Sequence, residues 1–259
     1  MRALMTAATG MKAQEMNLDV IAHNLANVNT AGFKKSEVSF EDLLYVNLRT
    51  PGVSDASGNQ SAAGLQIGSG AAAVSTTAHH TQGTLEMTGR DLDLAIDGEG
   101  FFQVTLPSGE TRYTRNGAFK LNSAGTIVTA EGYSLGITGV TSATDKIEVG
   151  RDGSVSVRAA GSTTSTSLGQ IPLFRFANPA GLESAGGNLF KENSAAGPAQ
   201  SVTPGVDGGS IKSKYLERSN VDVVSELIKM IMAQRAYEVN SRAIKAGDQM
   251  MSISSRLGS

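Results

Sequence analysis

Residues 223–251, VVSELIKMIMAQRAYEVNSRAIKAGDQMM, are the stretch that decides the fold. Read as a helix, they place one set of apolar side chains on a single face and a second set beside it. The face carries Val223, Leu227, Met230, Tyr237, Ile244 and Met251, and it is flanked by Val224, Ile228 and Ile231. A helical stripe of this kind is buried only when another helix covers it. The pattern therefore predicts a long C-terminal helix that needs a partner.

The sequence also predicts where this helix begins. Ser219 and Asp222 stand three residues apart just before the stripe, which is the spacing of a capping box. No proline interrupts the chain from there to Ser254, and Gly247 is the only glycine on the way. At about 1.5 Å per residue, such a helix is roughly 50 Å long. A β domain of the size that this chain allows cannot cover a helix of that length, so we expect its partner to lie elsewhere.

The beginning of the chain carries a second stripe. Leu4, Met11, Leu18 and Leu25 recur every seven residues, with Ile21 and Val28 beside them, and predict a helix from about residue 3 to residue 27 or 28. Gly10 lies inside it at a cost of about 1 kcal/mol relative to alanine. We assign the two stripes together as candidate subunit-interaction seams: Leu4, Met11, Leu18, Ile21, Leu25, Val28, Val223, Leu227, Met230, Ile231, Tyr237, Ile244 and Met251.

The middle of the chain has a different character. From about 74 to 176, short alternating stretches are separated by six turn pairs: Asp97-Gly98, Ser108-Gly109, Asn116-Gly117, Ala124-Gly125, Glu131-Gly132 and Asp152-Gly153. This spacing predicts an all-β sandwich or barrel. Residues 177–211 read as loops, 46–73 as an extended Gly/Ser-rich connector, and 159–167 as a hairpin tip. The predicted fold class is α+β, with long terminal helices that pair as a coiled-coil-like domain and a mainly β, sandwich- or barrel-like centre.

Composition argues against several functions. The chain has 259 residues, a net charge of −2, no cysteine and three histidines (His23, His79 and His80), and no face is basic enough for nucleic acid. Neither a cleavable signal peptide nor an apolar run of about 18 residues is present. Residues 91–100 only superficially resemble a calcium loop, because the EF-hand spacing is absent. We therefore predict no enzyme activity, no catalytic residue, no cofactor, no metal site, no nucleic-acid binding and no membrane insertion.

Particular motifs resemble one known family. Residues 24–34, NLANVNTAGFK, are similar to the N-terminal signature of bacterial flagellar rod and hook proteins, and residues 219–227 and 233–241 are similar to their C-terminal signature. Residues 97–104 and 113–119 resemble the family's β domain. The motif residues that we single out are Asn24, Asn27, Asn29, Gly32, Phe33, Asn220, Gln234, Arg235, Ala236, Tyr237 and Glu238.

Within the family, the distal rod members are the best match, through residues 40–45, 64–68, 150–153 and 181–184. The alternative inside the family is a proximal rod or hook subunit. The alternative outside it is a secreted β-domain adhesin with helical termini. For the Asn-rich motif, helix capping and hydrogen bonding between subunits both remain open.

The resemblance implies a structural role. Family members leave through the flagellar type III export channel without a cleaved signal and polymerise into a tubular shaft that carries motor torque across the periplasm to the hook. The implied partners are copies of the chain itself, proximal rod proteins, hook protein, P- and L-ring proteins and the export apparatus. The implied division is residues 1–45 and 212–259 as helical parts of a tube-forming domain, 46–73 as the connector and 74–211 as a β-rich outer domain.

Overall fold

The structure is a computed structural model, and it describes residues 2–49, 64–140, 144–159 and 164–257. Long helices stand near both ends and the region between them is mainly β, which confirms this part of the predicted fold class. Within the described residues, no helix is long and apolar enough to span a membrane.

The chain divides into two compact units. One, which we call the helical unit, comprises Met1–Leu25, Ser36–Thr77 and Val223–Ser259, and the other, which we call the β unit, comprises Ala26–Lys35 and Ala78–Asp222. Residues from both ends of the chain therefore enter each unit. The N-terminal motif residues after Leu25 belong to the β unit and not to the helical one.

The two helices are α1, Arg2–Ala26, and α2, Val223–Leu257. Because α2 begins directly after Asp222, that residue takes the N-cap position, and the predicted capping box is wrong in register. Ser219 Oγ instead accepts a hydrogen bond from the Val221 amide at 3.3 Å. Residues 219–221 precede the helix, where the Asn220 side chain bonds to other segments and Val221 is buried.

The helical unit also contains a long two-stranded ribbon. Its strands are β1, Ser36–Asp42; β2, Tyr45–Arg49; β3, Leu65–Gly68; and β4, Ala71–Ala78. β1 pairs with β4 and β2 pairs with β3. Between these pairs, the Leu43 amide donates to the Gly70 carbonyl at 2.8 Å, so one antiparallel ribbon continues across both. Part of the expected connector, 46–73, is thus ribbon, and its residues 50–63 lie outside the described residues.

The β unit holds the remaining strands. They are β5, Leu85–Met87; β6, Leu94–Asp97; β7, Phe101–Thr105; β8, Thr111–Thr114; β9, Lys120–Leu121; β10, Ile127–Val128; β11, Thr144–Val149; β12, Ser154–Ala159; β13, Ser165–Gln170; β14, Leu173–Arg175; β15, Glu183–Ser184; β16, Leu189–Lys191; β17, Gln200–Val202; β18, Ser210–Ser213; and β19, Tyr215–Glu217. The largest sheet has the order β15-β16-β8-β7-β14-β17, and a second has the order β11-β12-β13. β9 pairs with β10, β6 with β18 and β5 with β19. None of these sheets closes among the described strands, so the predicted barrel is not formed by them.

Two cores lie on the six-stranded sheet. Phe102 and Val104 of β7 enter a large aliphatic cluster together with Leu94, Ile96 and Leu173. Phe101, next to Phe102 on the same strand, enters a smaller aromatic cluster. Successive side chains of a strand point to opposite faces, so β7 supplies Phe102 and Val104 to one core and Phe101 to the other.

Residues 177–211 were predicted as loops, and this is wrong for β15, β16, β17 and the start of β18. Each of these strands is only two to four residues long, too short for an alternating pattern to show in the sequence. They form because neighbouring strands supply backbone partners, as β8 does for β16. The predicted hairpin tip at 159–167 is shortened, since β12 runs to Ala159 and β13 starts at Ser165, with 160–163 outside the described residues.

The predicted turn pairs are confirmed in all but one case. Gly98, Gly109, Gly125, Gly132 and Gly153 have positive φ, the conformation that tight turns require of glycine. Gly117 does not have positive φ. The carbonyl of Leu94 occupies the place where a Cβ of residue 117 would lie. Glycine is needed there because two backbone segments approach closely, and not because the turn demands it.

Candidate interaction site

The two helices of the helical unit contact each other in antiparallel order. Near the end of α1, Asn24 Nδ2 donates to Glu226 Oε2 at 3.2 Å, in the first turn of α2. Fourteen residues earlier on α1 and fourteen later on α2, Gly10 lies against the side chain of Asn240. Residue numbers fall along α1 as they rise along α2, so the contacts continue along both helices in opposite chain directions.

Glycines mark the closest approach of α1 and α2. A Cβ on Gly10 would lie 2.9 Å from Asn240 Nδ2, and one on Gly247 would lie 2.6 Å from Leu4 Cδ2. Each glycine costs its helix about 1 kcal/mol relative to alanine. The missing side chains allow the helix backbones to approach, which explains why both glycines stand inside otherwise strong helical patterns.

The face of α2 that meets α1 is small or polar. Glu226, Ala233, Asn240 and Gly247 follow one another at intervals of seven residues, and Glu226, Ala233 and Gly247 are buried. None of the four carries a large apolar side chain. The stripe of α2 that lies closest to α1 is therefore this one, and the predicted seam residues Met230 and Ile244, each four residues after a member of it, are half-buried beside it.

The structure places the predicted seam residues in three groups. Ile21 is buried; Leu4, Met11, Leu18, Leu25, Val28, Met230 and Ile244 are half-buried; and Val223, Leu227, Ile231, Tyr237 and Met251 are exposed. The side chains of the N-terminal stripe are thus at least partly covered. Most of the C-terminal stripe is open to solvent.

An apolar patch lies on the first turns of α2, on the side that faces away from α1. Val224, Leu227, Ile228 and Ile231 stand at positions i, i+3, i+4 and i+7, and between 42% and 64% of each residue is exposed. In a helix of 3.6 residues per turn, this set lies opposite Ala233, on the side away from α1. We call these four residues the outer patch.

Asn24 links three segments of the helical unit. Besides Glu226, its Nδ2 donates to the Ser36 carbonyl at 2.8 Å, and its Oδ1 accepts from the Ser36 amide at 2.9 Å. Lys229 Nζ lies 3.3 Å from Glu226 Oε1, so the buried carboxylate has a cation as well as an amide partner. These bonds of Asn24 are to residues distant in sequence, so here the motif does more than cap its own helix.

In the β unit, a buried carboxylate holds two buried cations. Glu217 of β19 accepts from Lys34 Nζ at 2.5 Å, and its other oxygen lies 3.5 Å from Arg115 Nη1. The side chains of Lys34 and Glu217 are fully buried and that of Arg115 nearly so. We call these three residues the Glu217 cluster. It joins segments that are far apart in sequence, each of them near a motif of the family resemblance.

Electrostatics and hydrogen bonds explain how the Glu217 cluster tolerates burial. Burial lowers the pKa of Lys34 and of Arg115 from their ordinary values, and the Glu217 carboxylate opposes both shifts. Lys34 also donates to the Thr81 carbonyl at 2.7 Å, and Arg115 donates to the Gly98 carbonyl at 3.0 Å. The Arg115 guanidinium lies 5.2 Å from the centre of a neighbouring aromatic ring, which adds a cation–π contact.

The chain around Lys34 is held by backbone contacts as well. The Gly32 amide donates to the Glu217 carbonyl at 2.8 Å, and Asn220 Oδ1 accepts from the Lys35 amide at 2.8 Å. Asn220 Nδ2 donates to the His79 carbonyl at 2.8 Å. Residues 26–35 are thereby fastened to the strand that precedes α2, although almost 190 residues separate them in sequence.

The motif residues separate into two groups by location. Gly32, Phe33 and Asn24 are buried, Asn27, Asn220 and Ala236 are half-buried, and Asn29, Gln234, Arg235, Tyr237 and Glu238 are exposed. Asn24, Gly32 and Asn220 take part in the internal junctions described above. The exposed residues of α2 lie on its surface and are open to contact with other molecules.

Sequence reasoning missed the central residue of the β unit's junction. Lys34 and Arg115 lie inside quoted motifs, but Glu217 was not singled out. The available signal was a carboxylate in an alternating strand, Tyr215–Glu217, directly before the motif at 219. Among the described residues, no group of three or more His, Asp or Glu side chains is placed to hold a metal ion.

Comparison with known proteins decides the family. The model described as flagella basal body rod protein matches residues 4–34, the flagellar hook protein FlgE/F/G D1 domain matches 95–157, and the flagellar basal body rod FlgEFG protein C-terminal model matches 212–257. The flagellar basal-body rod protein FlgG of Caulobacter vibrioides is 46% identical over the full length of both chains. That of Buchnera aphidicola from Acyrthosiphon pisum is 44% identical, over 98% of this chain and 99% of its own. That of Bacillus subtilis is 38% identical over 97% of both.

The chain belongs to the flagellar basal-body rod protein family. It is a structural subunit of the flagellar distal rod. The internal junctions therefore stabilise the rod subunit, and its exposed helical surface is the candidate surface for assembly contacts.

We expect Gly32→Ala to destabilise the rod subunit by more than about 2 kcal/mol. Gly32 has φ +71°, and a Cβ there would lie 2.5 Å from the Asn116 amide nitrogen, which is backbone and cannot move aside. The matched control is Gly109→Ala, since Gly109 has φ +84° but open space around it, and it should lose only about 1 kcal/mol. Urea unfolding measures both. Equal losses would show that the crowding at Gly32 has no energetic consequence.

Glu217→Gln should cost about 3–5 kcal/mol of folding free energy, because it leaves Lys34 and Arg115 buried without their carboxylate. The control is Glu148→Gln, because Glu148 also lies between two cations, Lys146 at 2.8 Å and Arg158 at 3.5 Å, but on the exposed surface. That change should cost far less than Glu217→Gln, because solvent screens both of its ion pairs. Thermal and urea unfolding give the comparison, and similar losses for the two variants would contradict the argument from burial.

Folding stability should fall in mild acid through His80. Its ring lies 5.5 Å from that of Phe101 and 5.2 Å from that of Phe190, and burial, with the charges of Lys34 and Arg115, lowers its pKa to about 4. An unfolded histidine titrates near 6.5, so the unfolded state binds more protons between about pH 6.5 and 4, and stability drops across that range. Urea unfolding at several pH values should show a shallower loss for His80→Gln than for the unchanged chain. An unchanged slope would exclude His80 as the source.

Proposed function

We propose that this rod subunit polymerises into a helical homopolymer through its terminal helices, and that the polymer is a rigid hollow shaft carrying motor torque across the periplasm to the hook. The observation that supports this most directly is the outer patch of α2. Its four large apolar side chains face away from α1 and are only about half covered. An exposed apolar stripe on a helix is the surface that a second helix would cover.

The energetics of the outer patch favour many contacts per subunit over one. Fully burying a large apolar side chain contributes about 1.5–3 kcal/mol. Because the four residues are already about half covered, completing their burial adds roughly 1 kcal/mol each, or about 4 kcal/mol together. Association costs about 4–15 kcal/mol in lost freedom. The free energy of one such contact only matches the low end of that cost. When several neighbours contact one subunit at once, the summed free energy of their contacts exceeds the cost.

We further propose that α1 and α2 pair as a coiled-coil-like element of the tube. Support comes from the antiparallel contacts at Asn24–Glu226, Gly10–Asn240 and Leu4–Gly247. With Glu226, Ala233, Asn240 and Gly247 turned toward α1, the outer patch on the opposite side of α2 is left for other copies. The predicted seam residues Val223, Leu227, Ile231, Tyr237 and Met251 are then contacts between subunits.

The remaining partners follow from the place of the family in the flagellum. We propose contacts with proximal rod proteins, hook protein and the P- and L-ring proteins, and export by the type III apparatus without a cleaved signal. The match of residues 95–157 to a domain that hook and rod proteins share supports a common mode of stacking at the hook end. The role is structural, and we assign no catalytic step to the chain.

The ribbon is the second element that we assign to assembly. We propose that residues 46–73 brace neighbouring subunits and stiffen the rod. Leu44, Tyr45, Leu48 and Leu65 are exposed along the ribbon. A two-stranded ribbon is only marginally stable alone, and among the described strands none pairs with either of its edges.

Ile228→Gln should leave the isolated subunit folded but reduce rod assembly. Ile228 is about half exposed in the subunit, so the substitution removes little internal packing, while a polar group in a contact between subunits lacks a partner. The measurement is the number of complete rods per cell by electron microscopy, with swimming as a second readout and circular dichroism as the test of folding.

The matched control is Arg242→Gln on the same side of α2. Its side chain is 79% exposed, and it lies beyond the outer patch. We expect normal rods from this control. Normal rod numbers with Ile228→Gln as well would refute the assignment of the outer patch to assembly.

Deleting residues 46–63 tests the bracing role. The deletion removes most of β2 and leaves β3 without its pairing strand, so we expect rods that bend or vary in diameter. A shorter deletion, of 50–63, keeps both strands and separates the contribution of the ribbon from that of the segment between them. Straight, rigid rods after the longer deletion would end the bracing proposal.

A further inference from the structure

One face of the ribbon holds a small apolar pocket against α1. Met5 and Thr9 line it from α1, and Leu43, Val46, Ile67 and Ser69 line it from the ribbon. Its volume is about 280 Å³, slightly below the roughly 300–1,000 Å³ of sites for drug-sized ligands. No charged side chain lines it, so the group that fits is uncharged, apolar and about the size of one or two side chains.

Beside the pocket stands the most exposed large apolar side chain among the described residues. Leu44 is 87% exposed, and it follows Leu43, which lines the pocket, directly in the chain. Leu44 itself does not line the pocket. Leu43 and Val46 line the pocket and Leu44 between them does not, so the ribbon carries an apolar projection next to an apolar recess.

We propose that Leu44 of one subunit inserts into the Met5–Ile67 pocket of a neighbouring copy. This inference rests on the proposed homopolymer and assigns to it a specific contact between subunits. Leu44 has the apolar character and the size that the pocket accepts. Since each copy carries both the projection and the recess, no second kind of protein is required.

The placement of the two features also fits the architecture of a rod. A contact between two different surfaces of identical copies is heterologous, so each copy that is added presents a new free surface of each kind. A row of copies joined by such contacts keeps growing unless the rotation between copies closes it into a ring. A self-complementary contact would instead stop at a dimer. The Leu44 contact is therefore of the kind that lengthens a polymer.

Cysteine cross-linking provides the direct test, because the chain contains no cysteine of its own. Cells that make two copies of the subunit, one carrying Leu44→Cys and the other Met5→Cys, should yield basal bodies in which mild oxidation joins the two copies into a dimer on a non-reducing gel. With the two cysteines on separate chains, any disulfide between them is between subunits. Pairing Leu44→Cys with Val74→Cys is the control, because Val74 is exposed on the same ribbon and does not line the pocket.

A dimer from the first pair with none from the control supports the proposal. Assembled rods from which the first pair gives no dimer, or in which both pairs react equally, overturn it. If Ile228→Gln leaves rods intact, the outer-patch assignment fails, and the same cross-link introduced into those rods still decides the role of Leu44. The two ideas can therefore fail separately.

A second pair of variants tests the same contact without introducing cysteine. Leu44→Asp should reduce complete rods at least tenfold, because it would place a charge in an apolar pocket, and Val74→Asp, on the same ribbon but outside residues 46–73, should reduce them less than twofold. Circular dichroism of the purified chains should be unchanged for both. Equal reductions for the two variants, or none for Leu44→Asp, would overturn the proposal.

Discussion

The buried Glu217 carboxylate is the interaction on which the β unit depends. It neutralises Lys34 and Arg115 in a place where none of the three charges reaches water. A buried cation without its counterion costs several kcal/mol, so each of the three segments can occupy its place only when the other two are present. The segment at 26–35 and the strand before α2 are thereby brought together, although they come from opposite ends of the chain. Polar junctions of this kind contribute positional specificity more than net stability, because the attraction mostly offsets the cost of desolvation.

The helical unit solves a different problem. A rod subunit keeps part of its apolar surface for its neighbours. Here α2 turns Glu226, Ala233, Asn240 and Gly247 toward α1 and leaves most of its large apolar side chains exposed. Close backbone approach at Gly10 and Gly247 supplies packing where large side chains are missing. The result is a helix pair with modest internal burial and an apolar surface that remains available to neighbouring subunits.

Much of the architecture could be predicted from local patterns. The two helices, the strands from β6 to β12 and most of the glycine turns follow from periodicity and turn chemistry, which depend on residues close in sequence. The short strands between 183 and 202 could not be predicted, since three residues carry no period and their partners lie on distant strands. The roles of Gly10, Gly117 and Gly247 were equally hidden. A glycine that costs helix stability or resembles a turn residue looks the same whether or not another backbone approaches it.

The apolar pattern of α2 does not show which of its faces meets α1. Amphipathicity identifies the most apolar face of α2, and the natural expectation is that this face meets the other helix of the same chain. The sequence by itself determined the family, the two terminal helices and the β character of the centre, because each is encoded in local spacing and motif. Only the tertiary structure decided which face of α2 meets α1 and which carboxylate neutralises Lys34 and Arg115. Those choices depend on the fit of backbones and on the cost of burying charge, and both arise only when segments distant in sequence come into contact.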